Sequence, residues 1–276
     1  MPTDLHAGVA PEPGVAKSDP LLVCDGVRKR FGGLVAVDVE HLEVQRGSIT
    51  ALIGPNGAGK TTLFNVLTGF SKADGGTWRF GGDDVSGLPA HRLARAGMVR
   101  TFQLTKALSK MSVLDNMKVG AGGQRGERLL VSLLPPLWRR EEAEVEARAR
   151  RWLEHFNLAD LAGDYAGTLS GGQRKLLELA RALMADPTML LLDEPMAGVN
   201  PALVQSLLAH IRDLRDQGRT VVFVEHDMDV VMGVSDWVVC MAEGRIIAEG
   251  PPTEIAGNPV VIDAYLGTHH AVDDRR

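Results

Sequence analysis

The 276 residues, 45% of them apolar, are enough for one large α/β domain or two modest ones with a buried core. Thirty basic residues against 35 acidic ones give a net charge of −5, so the chain lacks the basic footprint of a duplex-DNA binder and no nucleic-acid partner is expected. The two cysteines, Cys24 and Cys240, have no metal-ligand spacing and read as buried thiols of a reducing compartment. No apolar stretch nears the ~20 residues of a membrane helix.

Residues 1–20 are rich in Pro, Gly and Ala, lack the basic-then-apolar order of a signal peptide, and read as a flexible extension. Leu21–Val27 and His41–Val44 have strand character around a turn at Phe31-Gly32-Gly33, which predicts a small antiparallel sheet. Phe31 can stack on a flat ring or simply pack. The apolar run Ile49–Ile53 then leads into Gly54-Pro55-Asn56-Gly57-Ala58-Gly59-Lys60-Thr61-Thr62 and a helix-like segment to Thr68. This matches G-x-x-x-x-G-K-[ST] at every fixed position and in the strand-loop-helix context that gives the motif its meaning. Its glycines let successive amides and the helix N-terminus converge on an anion, Lys60 reaches the terminal phosphates, and the Thr61 hydroxyl can ligate Mg²⁺. A nucleoside triphosphate site is expected here.

Gly69 stops that helix, Thr77–Phe80 is a strand with a turn at Gly81-Gly82, Leu88–Ala96 a short helix, and Met98–Phe102 a strand that delivers Gln103 at its exit. The amide of Gln103 can reach Mg²⁺ or an attacking water, or it can be an exposed loop amide. Strand signals then vanish from Leu104 onward in favour of helix formers such as Glu141–Leu153, whose acidic start and basic continuation suit the helix dipole. Leu169-Ser170-Gly171-Gly172-Gln173 opens a helix, with Ser170 as its N-cap and a second anion seat at its start. Met189–Leu192 is a buried strand ending in Asp193 and Glu194, carboxylates placed to hold Mg²⁺ and to orient or deprotonate a water. Asn200-Pro201 starts a helix, Gly218 stops it, and Thr220–Glu225 is a strand delivering His226. Strand C-terminal ends are where open α/β sheets bind ligands. Trp237–Met241 and Arg245–Glu249 form a hairpin, Thr253–Leu266 two short helices, and the last residues a frayed tail.

With these residues in place, positions 21–267 resemble the nucleotide-binding subunit of ATP-binding cassette (ABC) transporters. Gly54–Thr62 is similar to the Walker A loop, Met189–Glu194 to Walker B with its catalytic glutamate, and Leu169–Gln173 to the signature motif. Gln103 falls at the Q-loop, His226 at the switch histidine and Phe31 at the adenine-stacking aromatic, while Asn200 stands where the D-loop usually has aspartate. The resemblance implies an α/β fold: a P-loop NTPase (RecA-like) core, 21–103 and 176–250, with an antiparallel β subdomain. It also implies an inserted helical signature subdomain, 104–175, and C-terminal helices, 251–267, before a tail at 268–276.

The activity implied is Mg²⁺-dependent ATP hydrolysis by a head-to-tail pair of cassettes, identical or paralogous. Ser170, Gly171, Gly172 and Gln173 of one copy would meet ATP held by the other, with Lys60, Gln103, Glu194 and His226 catalytic and Thr61, Gln103 and Asp193 on the metal. The implied partners are membrane permease subunits at the cytoplasmic face and, indirectly, a solute-binding protein. Arg100–Gln103, Glu225–Met228 and the ending from Gly257-Asn258-Pro259 to Tyr265-Leu266-Gly267 resemble the ATPase of branched-chain amino-acid importers. Lipopolysaccharide exporters and urea importers share much of the pattern, and soluble ABC proteins form a different class.

Overall fold

The computed structural model describes residues 5–101, 108–122 and 135–273. Its centre is a six-stranded sheet in the order β10-β9-β3-β8-β7-β6. Strands β3 (Ile49–Ile53), β7 (Met189–Asp193) and β8 (Thr220–Val224) are five residues each and buried throughout. Parallel strands covered on both faces read as near-continuous apolar runs, and these do apart from Thr50, Asp193 and Thr220. β6 (Met98–Arg100) and β9 (Trp237–Ala242) extend the parallel set, and β10 (Arg245–Gly250) closes it as an antiparallel edge.

Because side chains alternate along a strand, the sheet feeds two cores. Ile49, Ala51, Ile53, Leu190, Leu192, Val221 and Phe223 pack with helices on one side, and Leu52, Met189, Leu191, Val222 and Val224 pack on the other. The first side carries α3 (Val113–Val119), α4 (Pro135–His155), α5 (Gly171–Leu183), α6 (Pro201–Asp216) and α7 (Met228–Val234). The second carries α1 (Lys60–Leu67) and an antiparallel sheet, β2-β1-β4-β5. In that sheet β1 (Pro20–Phe31) and β2 (Leu34–Gln45) form one long hairpin, joined by β4 (Gly75–Phe80) and β5 (Asp83–Asp84). The expected strands were shorter because the charged run Arg28-Lys29-Arg30 hides the end of β1, where Arg28 instead pairs with Asp38 across the hairpin at 2.8 Å.

Two expectations about the ends are corrected. The segment before β1 is not a loose extension: His6 stacks on Trp237 with ring centroids 4.7 Å apart, and Lys17 lies buried against Glu249. Composition hid this because the segment is held by polar bonds to a buried acid and not by an apolar pattern. Glu249 accepts from the amides of Gly14 at 2.5 Å and Val15 at 3.2 Å, from Lys17 Nζ at 2.8 Å and from Trp237 Nε1 at 2.8 Å. At the other end, α8 (Pro252–Ala256) is followed by α9, which runs from Pro259 to Asp273 with no proline to stop it past residue 267.

The Lys17–Glu249 pair gives a measurable expectation. Lys17→Met keeps the stem and removes the counter-charge, which leaves a fully buried carboxylate with neutral donors only. Breaking one side of such a pair destabilises a fold by about 3–5 kcal/mol. Urea unfolding of the variant reads this directly, and a loss under about 1 kcal/mol would mean that the amides alone hold the charge.

Candidate active site

The phosphate loop leaves β3 and enters α1 through backbone that only glycine adopts without strain. Gly54, Gly57 and Gly59 have φ of 142°, 82° and 100°. At Gly54 a Cβ would lie 2.0 Å from the Met241 carbonyl oxygen, and at Gly59 2.3 Å from that of Ala36. The second contact also brings β2 against the loop, so the hairpin bearing Phe31 lies beside it. Phe31 is 56% exposed at the hairpin tip, with Lys29 Nζ 5.2 Å from its ring centre. The first-turn amides of α1, at Lys60, Thr61 and Thr62, have no carbonyl one turn back within the helix, and Gly59 supplies no side-chain cap. Pro55, Asn56, Gly57 and Ala58 complete the curl, closed by the Ala58 amide on the Pro55 carbonyl at 3.1 Å. Lys60 Nζ donates to the carbonyls of Gly54 at 2.6 Å and Pro55 at 3.0 Å. Burial lowers the Lys60 pKa, and the nearby Glu194 carboxylate opposes that.

Two strands away, β7 delivers its carboxylates at the same edge of the sheet. Asp193, 3% exposed, accepts from Arg100 at 2.7 Å through Oδ2, while its buried Oδ1 has no hydrogen-bond partner among the described residues. A buried, unsatisfied carboxylate oxygen beside a phosphate loop fits a divalent cation, since hard cations take oxygen ligands. Arg100 is itself fixed by Asn65 Oδ1 at 2.6 Å. Glu194 has φ of 47°, a left-handed conformation costly for a non-glycine residue. It is held there from both sides: its amide donates to the Val224 carbonyl at 3.1 Å, and its carbonyl accepts from Lys175 Nζ at 3.0 Å.

His226 follows β8 with its side chain two-thirds exposed, so its ring faces outward and is free to meet a ligand. Its amide donates to Glu225 Oε2 at 3.3 Å, and the other oxygen of Glu225 accepts from Met196 at 3.0 Å. Burial raises the Glu225 pKa, an effect those two amides oppose. Glu225 thus ties the turn after Glu194 to the strand end carrying His226. A cleft of about 410 Å³ opens between Met196–Val199 and His226–Val230.

The signature segment lies apart from this cluster. Ser170 caps α5 in a full capping box with Gln173, with Ser170 Oγ accepting from the Gln173 amide at 3.2 Å and Gln173 Oε1 from the Ser170 amide at 2.9 Å. Among the described residues Ser170, Gly171, Gly172 and Gln173 make no hydrogen bond to the phosphate loop, and Ser170 and Gly171 are exposed. Gly172 packs closely on α6: a Cβ there would lie 1.8 Å from the Leu203 side chain, which would have to move. Asn200 caps α6, accepting from the Leu203 amide at 2.9 Å, a role that aspartate fills equally. Gln103 lies outside the described residues. The segment leading to it leaves the sheet at Thr101, whose amide donates to Leu191 at 3.0 Å, two residues before Asp193.

Lys60, Asp193, Glu194 and His226 therefore share one edge of the sheet, arranged to bind a polyphosphate and present a carboxylate to a water. Sequence reasoning gave no role to Lys175, Glu225 or Tyr265. The Tyr265 hydroxyl accepts from the Gly54 amide at 2.9 Å and so ties α9 to the first residue of the phosphate loop. Tyr265 and Glu225 lie in stretches that marked a subgroup resemblance, and Lys175 was distinguishable only by its spacing from Ser170.

Residues 37–197 match the family described as ABC transporter, and residues 245–271 match that described as branched-chain amino acid ATP-binding cassette transporter. The chain is 44% identical over 252 residues to the high-affinity branched-chain amino acid transport ATP-binding protein BraF of Pseudomonas aeruginosa, covering 91% of this chain and 99% of that one. Identity and coverage are the same for the high-affinity branched-chain amino acid transport ATP-binding protein LivG of Escherichia coli. Among solved structures, the ADP conformation of an ATP-binding cassette of an ABC transporter superposes with a TM-score of 0.79 at 39% identity, covering 91% of this chain and all of that one.

Proposed function

We propose that this chain, which belongs to the ABC transporter family as an ATP-binding and ATP-hydrolysing subunit, powers the import of branched-chain amino acids through a permease supplied by other chains. The observation that carries the reading is the convergence of Lys60, Asp193, Glu194 and His226 at one sheet edge, with a branched-chain-type C-terminal segment bonded to the phosphate loop through Tyr265. ATP lies on the loop amides with its adenine on Phe31, and Lys60 exchanges its two carbonyls for phosphate oxygens. Thr61 and the free oxygen of Asp193, with Gln103, would hold Mg²⁺, which when bound offsets the charge on the phosphates. Arg100 orients Asp193 through the other oxygen. Glu194, fixed at both ends of its peptide unit, takes the proton of the attacking water, and His226 holds the γ-phosphate.

Ser170 and Gly171 are exposed, and the side-chain bonds of Ser170 and Gln173 stay within their own turn, which suits Ser170–Gln173 to ATP held by a second cassette in a head-to-tail pair. Lys175, one turn further along α5, reports that contact to the carbonyl of Glu194. No helix among the described residues is long and apolar enough to cross a membrane, and we place the chain on the cytoplasmic face through its permease. We place the permease contact on the segment that follows Gln103, where Leu114 packs against the core while Leu108 is exposed. Met111 is half-buried, and Leu104 and Ala107 lie outside the described residues.

The test is co-expression with a branched-chain amino-acid permease. The chain is expected in the membrane fraction only with that permease, with leucine uptake into vesicles that requires internal ATP. Leu108→Glu should release it to the soluble fraction while basal hydrolysis stays within about twofold, because a rim charge opposes docking without touching the nucleotide. Uptake of a different solute would redirect the cargo. Pelleting with nucleic-acid complexes instead of membranes would move the chain to the non-transport class.

A further inference from the structure

Away from the nucleotide, three potential metal ligands meet between the helix that precedes the signature helix and the helix that follows the Walker B strand. His155 is the last residue of α4, and His210 and Asp213 lie three apart on α6, hence on one face. One ligand atom from each falls within 4.8 Å of the others. His210 is 7% exposed, and neither of its ring nitrogens has a hydrogen-bond partner among the described residues. His155 Nε2 is likewise buried and unpartnered. The imidazoles lie 4.9 Å apart, with Phe156 4.5 Å from His210 and Trp152 edge-on to His155 at 5.6 Å. Packing explains the aromatic neighbours but not the nitrogens, because a buried polar atom without a partner costs stability and native folds rarely leave several in one place.

We propose that His155, His210 and Asp213 form a site for a borderline divalent cation of the Zn²⁺ class, which staples α4 to α6. Zinc bonds of about 2.0–2.1 Å place tetrahedral ligand atoms about 3.3 Å apart, so the three atoms must close by up to about 1.5 Å. Side-chain rotation of the exposed Asp213 and the half-buried His155 supplies that movement while His210 stays in place. The open side of Asp213 leaves the fourth position to water. Two of the three donors are imidazole nitrogens, so Mg²⁺, which takes oxygen ligands, does not compete. The site is therefore distinct from the nucleotide's metal in both position and chemistry. Its effect is mechanical: α4 precedes the signature helix and α6 follows the segment after Glu194, and a bridge between them limits their relative movement.

The experiment uses the untagged full chain, stripped of metal and free of nucleotide, titrated with Co²⁺ and read by its visible d–d absorption, then by displacement with Zn²⁺. One equivalent with tetrahedral-type bands is expected, together with a rise in the thermal unfolding midpoint on adding Zn²⁺. Loss of a mere outer-shell partner already weakens a metal site by about 10–100-fold, so His155→Ala and His210→Gln should each cost at least about 100-fold in affinity. ATP binding by the variants reports that they are folded. If the buried His210 variant fails to fold, the half-buried His155 variant carries the test alone. The chain has eight histidines, and Co²⁺ or Zn²⁺ bound equally well by wild type and variant would place the metal elsewhere and overturn the proposal. Absence of the bands in the wild type would overturn it as well.

Discussion

Glu194→Gln is expected to lower ATP turnover by about 10²–10⁴-fold, the range a positioned general base contributes, with ATP affinity within about threefold of wild type. The substitution keeps size and shape and removes only the group that can accept a proton. The backbone at this position is held independently of the side chain, by Val224 on one side and Lys175 on the other, so the left-handed φ of 47° survives the change. Binding and chemistry should therefore separate cleanly: nucleotide titration stays near normal and phosphate release collapses. In the proposed head-to-tail pair, blocked hydrolysis leaves the bridging nucleotides in place, so an ATP-bound dimer should accumulate on size exclusion with Mg²⁺ and ATP and dissociate when the nucleotide is removed. Hydrolysis within a few-fold of wild type would show that Glu194 is not the base. Glu225 is no substitute for it, being fully buried with both oxygens already accepting backbone amides.

Lys60→Ala acts one step earlier, on binding. Its ammonium lies against the Gly54 and Pro55 carbonyls at the mouth of the loop, and a charge-assisted bond to phosphate is worth about 1.5–3 kcal/mol net. Losing it should weaken ATP by about 10–150-fold in a titration with labelled nucleotide. The loop should keep its path, because that is set by the glycines and by the close approach of Met241 and Ala36. The unfolding midpoint without nucleotide is then expected to move little, and the stabilisation normally conferred by ATP should largely disappear. An unchanged dissociation constant would show that the triphosphate lies elsewhere.

The chemistry-bearing residues were legible because each sits where the local pattern breaks. A run of four apolar residues leading into two acids, or a glycine-rich stretch between an apolar run and a helix, is hard to account for by packing. Ser170 and Asn200 were equally legible as caps, since a short polar side chain before a helical period has one obvious use. What the sequence did not disclose are the long-range polar ties. Arg100 meets Asp193 from 93 positions away, Tyr265 meets Gly54 from 211, and Lys17 meets Glu249 from 232. None leaves a periodic trace, because a single buried pair has no neighbours in sequence to repeat it. The same holds for the N-terminal segment, held by Glu249 on Gly14, Val15 and Lys17, by Glu43 on the Lys17 amide and by Trp237 on His6.

The sheet order carries a consequence for how the protein is made. β3, the strand that feeds the phosphate loop, lies between β8 and β9, which a ribosome produces about 170 residues later, or about 8–35 s at 5–20 residues per second. Through that interval its five residues, four of them apolar, have no sheet partner, and both edges of the nascent strand are open to pairing with other chains. The tie to the loop from Tyr265 arrives later still, 211 residues after Gly54. The phosphate loop therefore waits on strands made long after it, and the open edges of β3 are what a chaperone would have to cover in the meantime.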